Sequence, residues 1–376
     1  MKMKSFGNNV YILGAGFSVA AGLPVINNFM TKMRDTLELN SDLDAQAMNA
    51  IELVMKERSS LGRIREKIRI DLDNIEELFS LIDASEEESD SVFFSDLEIA
   101  IRKAISATLL SARKVPYKIR CQVAESCMEF ANETIPNSHI PDPKHVHIEV
   151  DPYSMFASLI THKLDDVDQT SECNDTVITF NYDTVLEDAL HELEVIPDYV
   201  IPCYGPDTWK NVSDSVRIIK LHGSINWTYS EDPSTPVLVI PEPLSIIQYV
   251  NKAPLLLPPS WKKNRFIKGM ESLWNEGIEA IRQAHRVFII GYSMPISDAY
   301  FRYFLAAGLR DNHTLRKLLI INKSSLAEVC NSFLDDTYFN KRLEHYGGTK
   351  GKTFEQFLVN ANEIYRLTGR GSLLLD

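Results

Sequence analysis

The segment Val10-Tyr-Ile-Leu-Gly-Ala-Gly16 constrains this chain more than any other. Four apolar residues in a row suit a strand buried on both faces, and Gly14 and Gly16 follow at once, where the chain must turn sharply. A helix starting beyond that turn would aim unpaired N–H groups and the positive end of its dipole at an anion. An export signal competes for the same residues, because Lys2 and Lys4 precede the apolar run and small residues follow it. Asn8 and Asn9 interrupt that approach, and two glycines break the apolar core an export signal needs. The turn therefore reads as a phosphate-binding loop. It departs from the usual dinucleotide fingerprint, which would place a third glycine where the chain has Val19.

A chain of 376 residues can hold one large domain or two ordinary ones. With 44% hydrophobic and 24% charged residues it has the make-up of a soluble globular protein. The net charge of -13, without a cluster of Lys and Arg, argues against a surface that tracks nucleic acid. No apolar run approaches the roughly 18 residues needed to span a bilayer. Cys121, Cys127, Cys173, Cys203 and Cys330 form no C-x-x-C pair, so neither a disulfide framework nor a zinc ribbon is expected, and a reducing cytoplasm fits.

Between Phe29 and Leu164 the pattern is helical almost throughout. Asp73 and Glu76 read as a capping box ahead of Ile75, Leu78, Phe79 and Ile82; further helices are expected over 95–111, 117–131 and 153–164. Glu86 to Asp90 reads as a solvated acidic loop, and 136–152 as a connection. Strand character returns at 176–180 and recurs at 216–221, 237–240, 287–290 and 318–321, with helical segments at 183–193 and 267–284. Short apolar strands alternating with helices indicate a parallel sheet covered on both faces. The expectation is an α/β chain: a Rossmann-like open parallel sheet with a large helical insertion after the first strand. Residues 1–30 and 165–335 would form the nucleotide-binding domain, 31–164 the insertion, and 336–376 a helical extension.

Ligands of open α/β sheets sit beyond the carboxyl ends of the strands. There the chain offers Asn181-Tyr-Asp183, His222-Gly-Ser224, Gly291-Tyr-Ser293 and Asn322, besides the glycine turn. In order, G-A-G-x-S-x-x-x-G-L-P at 14–24, T-F-N-Y-D at 179–183, K-L-H-G-S-I-N-W at 220–227 and G-Y-S at 291–293 resemble the sirtuin-like domains of bacterial antiphage defence proteins.

That resemblance implies a site for nicotinamide adenine dinucleotide (NAD), used as a substrate. Gly14, Ala15, Gly16 and Ser18 would hold the pyrophosphate, and Gly291, Tyr292, Ser293 and Asn322 the adenosine half. Asn181 and His222 would face the nicotinamide ribose, and Asp183 would order the loop. The chemistry of the residues agrees. Breaking an N-glycosidic bond calls for a base of near-neutral pKa, which suits histidine, and for a group that orients water or a ribose hydroxyl, which suits asparagine. Deacylating sirtuins carry a zinc module built from two cysteine pairs, which this chain cannot supply, so no zinc is expected. The implied outcome is hydrolysis of NAD to nicotinamide and ADP-ribose.

Each motif has a plainer explanation. The glycines could serve only a tight turn, Asn181 could cap the following helix, His222 could be structural, and Trp227 reads as packing. His145, His147 and Glu149 would share one face of an extended segment, but no fourth metal ligand accompanies them. An enzyme that destroys NAD must be held in check. The resemblance spans the chain, so control is expected from homo-oligomerisation or a partner, with a HerA-like hexameric ATPase favoured over a short Argonaute-type protein. Two other functions stay open: transfer or cyclisation of ADP-ribose, and non-catalytic binding of NAD or ADP-ribose in an assembly.

Overall fold

The computed structural model describes residues 8–39, 43–85, 95–114, 119–122, 147–163, 175–207, 209, 212–232, 234–249, 252–257, 271–293, 299–323, 343–345 and 352–358. Its centre is a seven-stranded, wholly parallel sheet. The strands of the chain are β1 (Asn9–Leu13), β2 (Ile119–Gln122), β3 (His147–Val150), β4 (Thr176–Thr179), β5 (Ile196–Asp198), β6 (Cys203–Tyr204) and β7 (Ser215–Lys220). They continue with β8 (Gly223–Ser224), β9 (Trp227–Tyr229), β10 (Val237–Val239), β11 (Leu255–Leu256), β12 (Arg286–Ile290), β13 (Lys317–Ile321) and β14 (Leu343–His345). Across the main sheet the order is β14-β13-β12-β1-β4-β7-β5. The Rossmann-like reading is therefore met: β1 is flanked by β12 and β4, and the connections diverge on either side of it. A topological switch point of this kind opens a crevice at the carboxyl ends of the strands.

The central strands read as continuous apolar runs because both of their faces are covered. Tyr11, Ile12, Val177, Ile178, Ile218, Ile219, Val287 and Ile289 are all buried. Aromatic rings fill the space above β1, where Tyr11 stacks on Phe288 at 4.9 Å and meets Phe156 edge-on at 5.4 Å.

The insertion after β1 is built on helices α1 (Phe29–Leu39), α2 (Ala45–Ser60), α3 (Ile75–Ser85) and α4 (Asp96–Ala112). Ser95 caps α4 in a reciprocal box with Glu98, and the helix then buries residues on every side. It is the hub of the insertion, packed by α1, α2 and α3.

Several local expectations are corrected. The cap of α3 is Asn74, whose Oδ1 accepts the Glu76 and Glu77 amides, while Asp73 turns away to pair with Arg58. The helix expected over 117–131 is a strand where it is described: β2 pairs antiparallel with β3, a partner too distant in sequence for a helical window to register. Strand 237–240 exists as β10, but it lies outside the main sheet, between β6 and β9. At the far edge β14 pairs with β13, within a segment read as a helical extension, where Phe354–Leu358 is the described helical piece. The acidic run 86–90, residues 123–131, 136–146, 267–270 and Ile364 lie outside the described residues. No described helix is long and apolar enough to cross a membrane.

Candidate active site

Strand register brings the four motifs and Asn322 together. Leu13 is level with Thr179 on one side and Ile290 on the other; Thr179 is level with Lys220, and Ile290 with Ile321. Gly14, Phe180, Leu221, Gly291 and Asn322 therefore step off the sheet in one row. Asn181 and His222 leave adjacent strands at the same height, each two residues past a registered pair. The row is tied by backbone bonds: Gly14 N–H to Ile290 O at 2.9 Å, Gly291 N–H to Ile321 O at 2.9 Å, and Leu221 N–H to Thr179 O at 3.0 Å.

The glycine turn differs from its expected form. In place of an α-helix it leads into a single 3-10 turn, Ala15–Ser18, and α1 begins only at Phe29. So short a turn offers little macrodipole. The Gly16 amide donates to Gly291 O at 2.8 Å and the Phe17 amide to Gly14 O at 2.9 Å, so these groups, like the Gly14 amide, are already engaged. Packing explains why both positions are glycine. A Cβ on Gly14 would stand 2.7 Å from the Tyr292 backbone, and one on Gly16 would stand 2.7 Å from Gly291 O. Gly291 takes φ +62, and a Cβ there would meet Phe17 N at 2.3 Å.

Behind the turn, Ser18 is 1% exposed and acts as an internal bridge. Its hydroxyl donates to Asp183 Oδ2 at 2.8 Å and accepts from Asn181 Nδ2 at 3.2 Å. Asn181 Nδ2 also donates to Gly14 O at 2.9 Å. Because a carbonyl can only accept, that bond fixes the amide's orientation and turns Oδ1 away from the turn. Asn181 thus pins the glycine turn to β4, and among the described residues Oδ1 is its remaining acceptor.

Burial pushes the Asp183 carboxyl above the ordinary carboxylate range, against the opposing pull of Lys220, the Ser18 hydroxyl and the Val185 amide. Its Oδ1 accepts from the Val185 amide at 3.1 Å, at the start of the helix Val185–Glu192. The Asp183 side chain, and not that of Asn181, thus ties the first amide of that helix, whose N-cap is Thr184.

His222 is half-buried, and Phe180 meets it edge-on at 5.2 Å while Tyr182 lies tilted at 6.1 Å. Phe180 also stacks on Tyr292 at 5.4 Å, so aromatic rings span the row from His222 to Gly291. The histidine's carbonyl accepts the Leu257 amide at 2.9 Å, as β8 pairs antiparallel with β11. Asn322 Nδ2 donates to Tyr292 O at 2.9 Å and holds that loop, while Ser293 is exposed beside it.

Two participants escaped the sequence reading. Phe180 forms an aromatic seam with Tyr292. Lys220, 1% exposed, pairs with Glu187 at 2.7 Å and donates to Asp183 O. A lysine set between Ile219 and Leu221, near the end of an expected buried strand, was the available signal. Trp227 is core, packed edge-on against Tyr199 at 4.8 Å. His147 and Glu149 lie on β3 and His145 outside the described residues; among those residues no group of three His, Cys, Asp or Glu could hold a metal ion.

A family model described as a SIR2-like domain matches residues 175–346, just under half of the chain, beginning at β4 and omitting the glycine turn and the helical insertion. No curated protein matches. Among solved structures, Sir2Tm bound to a propionylated peptide is similar over 98% of this chain and 99% of its own, at 12% identity and a TM-score of 0.37. A structure reported on the mechanism and regulation of Sir2 enzymes is similar over 98% and 95%, at 12% identity and a TM-score of 0.40. A Sir2 homolog in complex with NAD is similar over 97% and 93%, at 12% identity and a TM-score of 0.36. Likenesses this distant carry no argument about chemistry; the fold rests on the sheet order itself.

Proposed function

We propose that this chain hydrolyses NAD to nicotinamide and ADP-ribose in the crevice above β1, β4, β7 and β12. The observation that carries the reading is the register row. It puts a half-buried histidine and an asparagine whose Oδ1 has no partner among the described residues at one height on adjacent strands, beside a backbone turn at the switch point. The match of 175–346 to a SIR2-like domain supports NAD as the substrate.

In this reading Asn181 Oδ1 accepts a hydrogen bond from the attacking water or a ribose hydroxyl. His222 removes the proton as water bonds to the ribosyl carbon and the bond to nicotinamide breaks, and the ring nitrogen keeps that electron pair. Phe180 and Tyr292 supply an apolar wall for the oxocarbenium-like sugar. Gly14, Ala15 and Gly16 form the phosphate-side wall, with Ser18 and Asp183 holding Asn181 from behind. Since the Gly14 and Gly16 amides are engaged, contacts to phosphate come from other groups of the turn. Gly291, Tyr292, Ser293 and Asn322 line the adenosine side.

We further propose that the activity serves antiphage defence in the cytoplasm, where the chain acts as a homo-oligomer restrained by a partner such as a HerA-like hexameric ATPase. Chromatography of NAD incubated with the protein, alone and with candidate partners, tests the reading. Nicotinamide and linear ADP-ribose in equal amounts support it. A cyclic product or ADP-ribosylated protein would assign transfer chemistry instead, and tight NAD binding without nicotinamide release would assign a binding module.

A further inference from the structure

The insertion reaches the site through a buried cation. Arg102, in the middle of α4, is 1% exposed. Its Nε donates to Leu256 O at 3.2 Å, its Nη1 donates to Glu98 O at 2.9 Å, and the guanidinium lies over the Phe79 ring at 4.9 Å. Around it stand the carboxylates of Glu98 and Asp83 and the phenols of Tyr229 and Tyr182. Desolvation lowers its pKa to about 10, so it stays charged at neutral pH. A buried guanidinium costs a great deal to desolvate, and an ordinary surface-seeking arginine would not be kept there for packing alone.

What it holds is β11. Leu256 is level with Gly223 in the antiparallel pair with β8. The next residue, Leu257, donates its amide to His222 O at 2.9 Å and accepts the Tyr182 hydroxyl at 2.9 Å. Tyr182 in turn lies 6.1 Å from the His222 ring, and its own carbonyl accepts the Ile225 amide at 2.9 Å. One short strand is thus fastened on one side to the insertion and on the other to the histidine and its neighbouring ring. Lys103, next to Arg102, makes a parallel tie to Tyr249 O at 2.6 Å, so the segment leading into β11 is anchored to the same helix.

We propose that Arg102 is a positioning residue through which the helical insertion sets the His222 loop, so that α4 and the site move as one body. This rests on the reading of His222 as the general base, and it assigns the insertion a task beyond covering the sheet.

The test combines hydrogen-exchange mass spectrometry with nicotinamide release for the wild type, Arg102→Met, Arg102→Lys and Phe79→Leu. In Arg102→Met, amides in 222–225 and 255–257 should exchange about tenfold faster, while those of β1 and β12 keep their wild-type rates. The kcat should fall about tenfold or more with KM within about twofold, and Arg102→Lys should recover part of both. Exchange that is unchanged at 222–225, or that rises uniformly over the sheet, overturns the proposal. Should Arg102→Met not fold, Phe79→Leu decides: it loosens the seat of the guanidinium without unpairing it. It must raise exchange at 222–225 and 255–257 while β1 and β12 keep their wild-type rates, and a uniform rise refutes the coupling. A wild type that releases no nicotinamide would sink the catalytic reading, while the exchange data still decide the positioning.

Discussion

Gly223→Ala is the substitution whose cost follows most directly from backbone geometry. Gly223 sits at φ +79, a conformation that costs a residue with a Cβ about 1 to 2 kcal/mol. A Cβ built there would lie 2.0 Å from Leu255 O and 3.0 Å from the Leu255 carbonyl carbon. Both are backbone atoms, so no side-chain rotation relieves the clash. The β8–β11 pair must part, and its backbone hydrogen bonds, worth about 1 kcal/mol each, are lost with it. The expected destabilisation is about 3 to 4 kcal/mol, read as a shift in urea denaturation followed by circular dichroism. Because Leu257 holds the His222 carbonyl, nicotinamide release should fall further than the folded fraction does. Gly62→Ala is the control: among the described residues nothing lies within 4 Å of its Cβ, and it should stay within about 0.5 kcal/mol of the wild type. A Gly223→Ala protein as stable as that control would refute the account of β8 and β11.

Three further outcomes are expected. Lys220→Met should cost about 3 kcal/mol or more in urea denaturation, because it strands Glu187, whose side chain is 10% exposed; Lys220→Met with Glu187→Leu should recover part of that loss. Asp183 has a folded pKa raised by burial, so its contribution to stability is fully present below the unfolded pKa and is lost as pH rises through the folded value. The wild type should therefore lose stability relative to Asp183→Asn as pH climbs out of the ordinary carboxylate range, and parallel urea midpoints for the two proteins across that range would contradict the assignment. Asn181→Ala should unpin the glycine turn as well as remove Oδ1, so amide exchange at 14–18 should rise together with the loss of turnover.

Much of the sheet was legible because its strands are buried on both faces and so spell apolar runs, as β1, β4, β7, β12 and β13 do. The motif residues at their ends were legible for the same reason, since register alone places them together. Elements defined by a partner were not. β2 exists because β3 lies opposite, and β10 belongs to a small sheet that no local pattern distinguishes from the large one. At the strand ends, residue types foretold which segments meet but not each atom's task. Gly14 and Gly16 look like a phosphate cradle in sequence, yet their lack of a Cβ is explained by the close approach of Gly291 and Tyr292. Ser18 looks like a ligand contact and is a buried bridge. Arg102 reads as one more charge on an amphipathic helix until its carbonyl partner, 154 residues away, is seen.

The central claim is that His222 acts as the base in NAD hydrolysis. The most direct measurement is the rate of nicotinamide release from NAD by the wild type and by His222→Ala, each shown to be folded by the same urea transition. The account predicts release by the wild type and a loss of about 10² to 10⁴ in the variant, with the fold intact. Release by His222→Ala at the wild-type rate would contradict it.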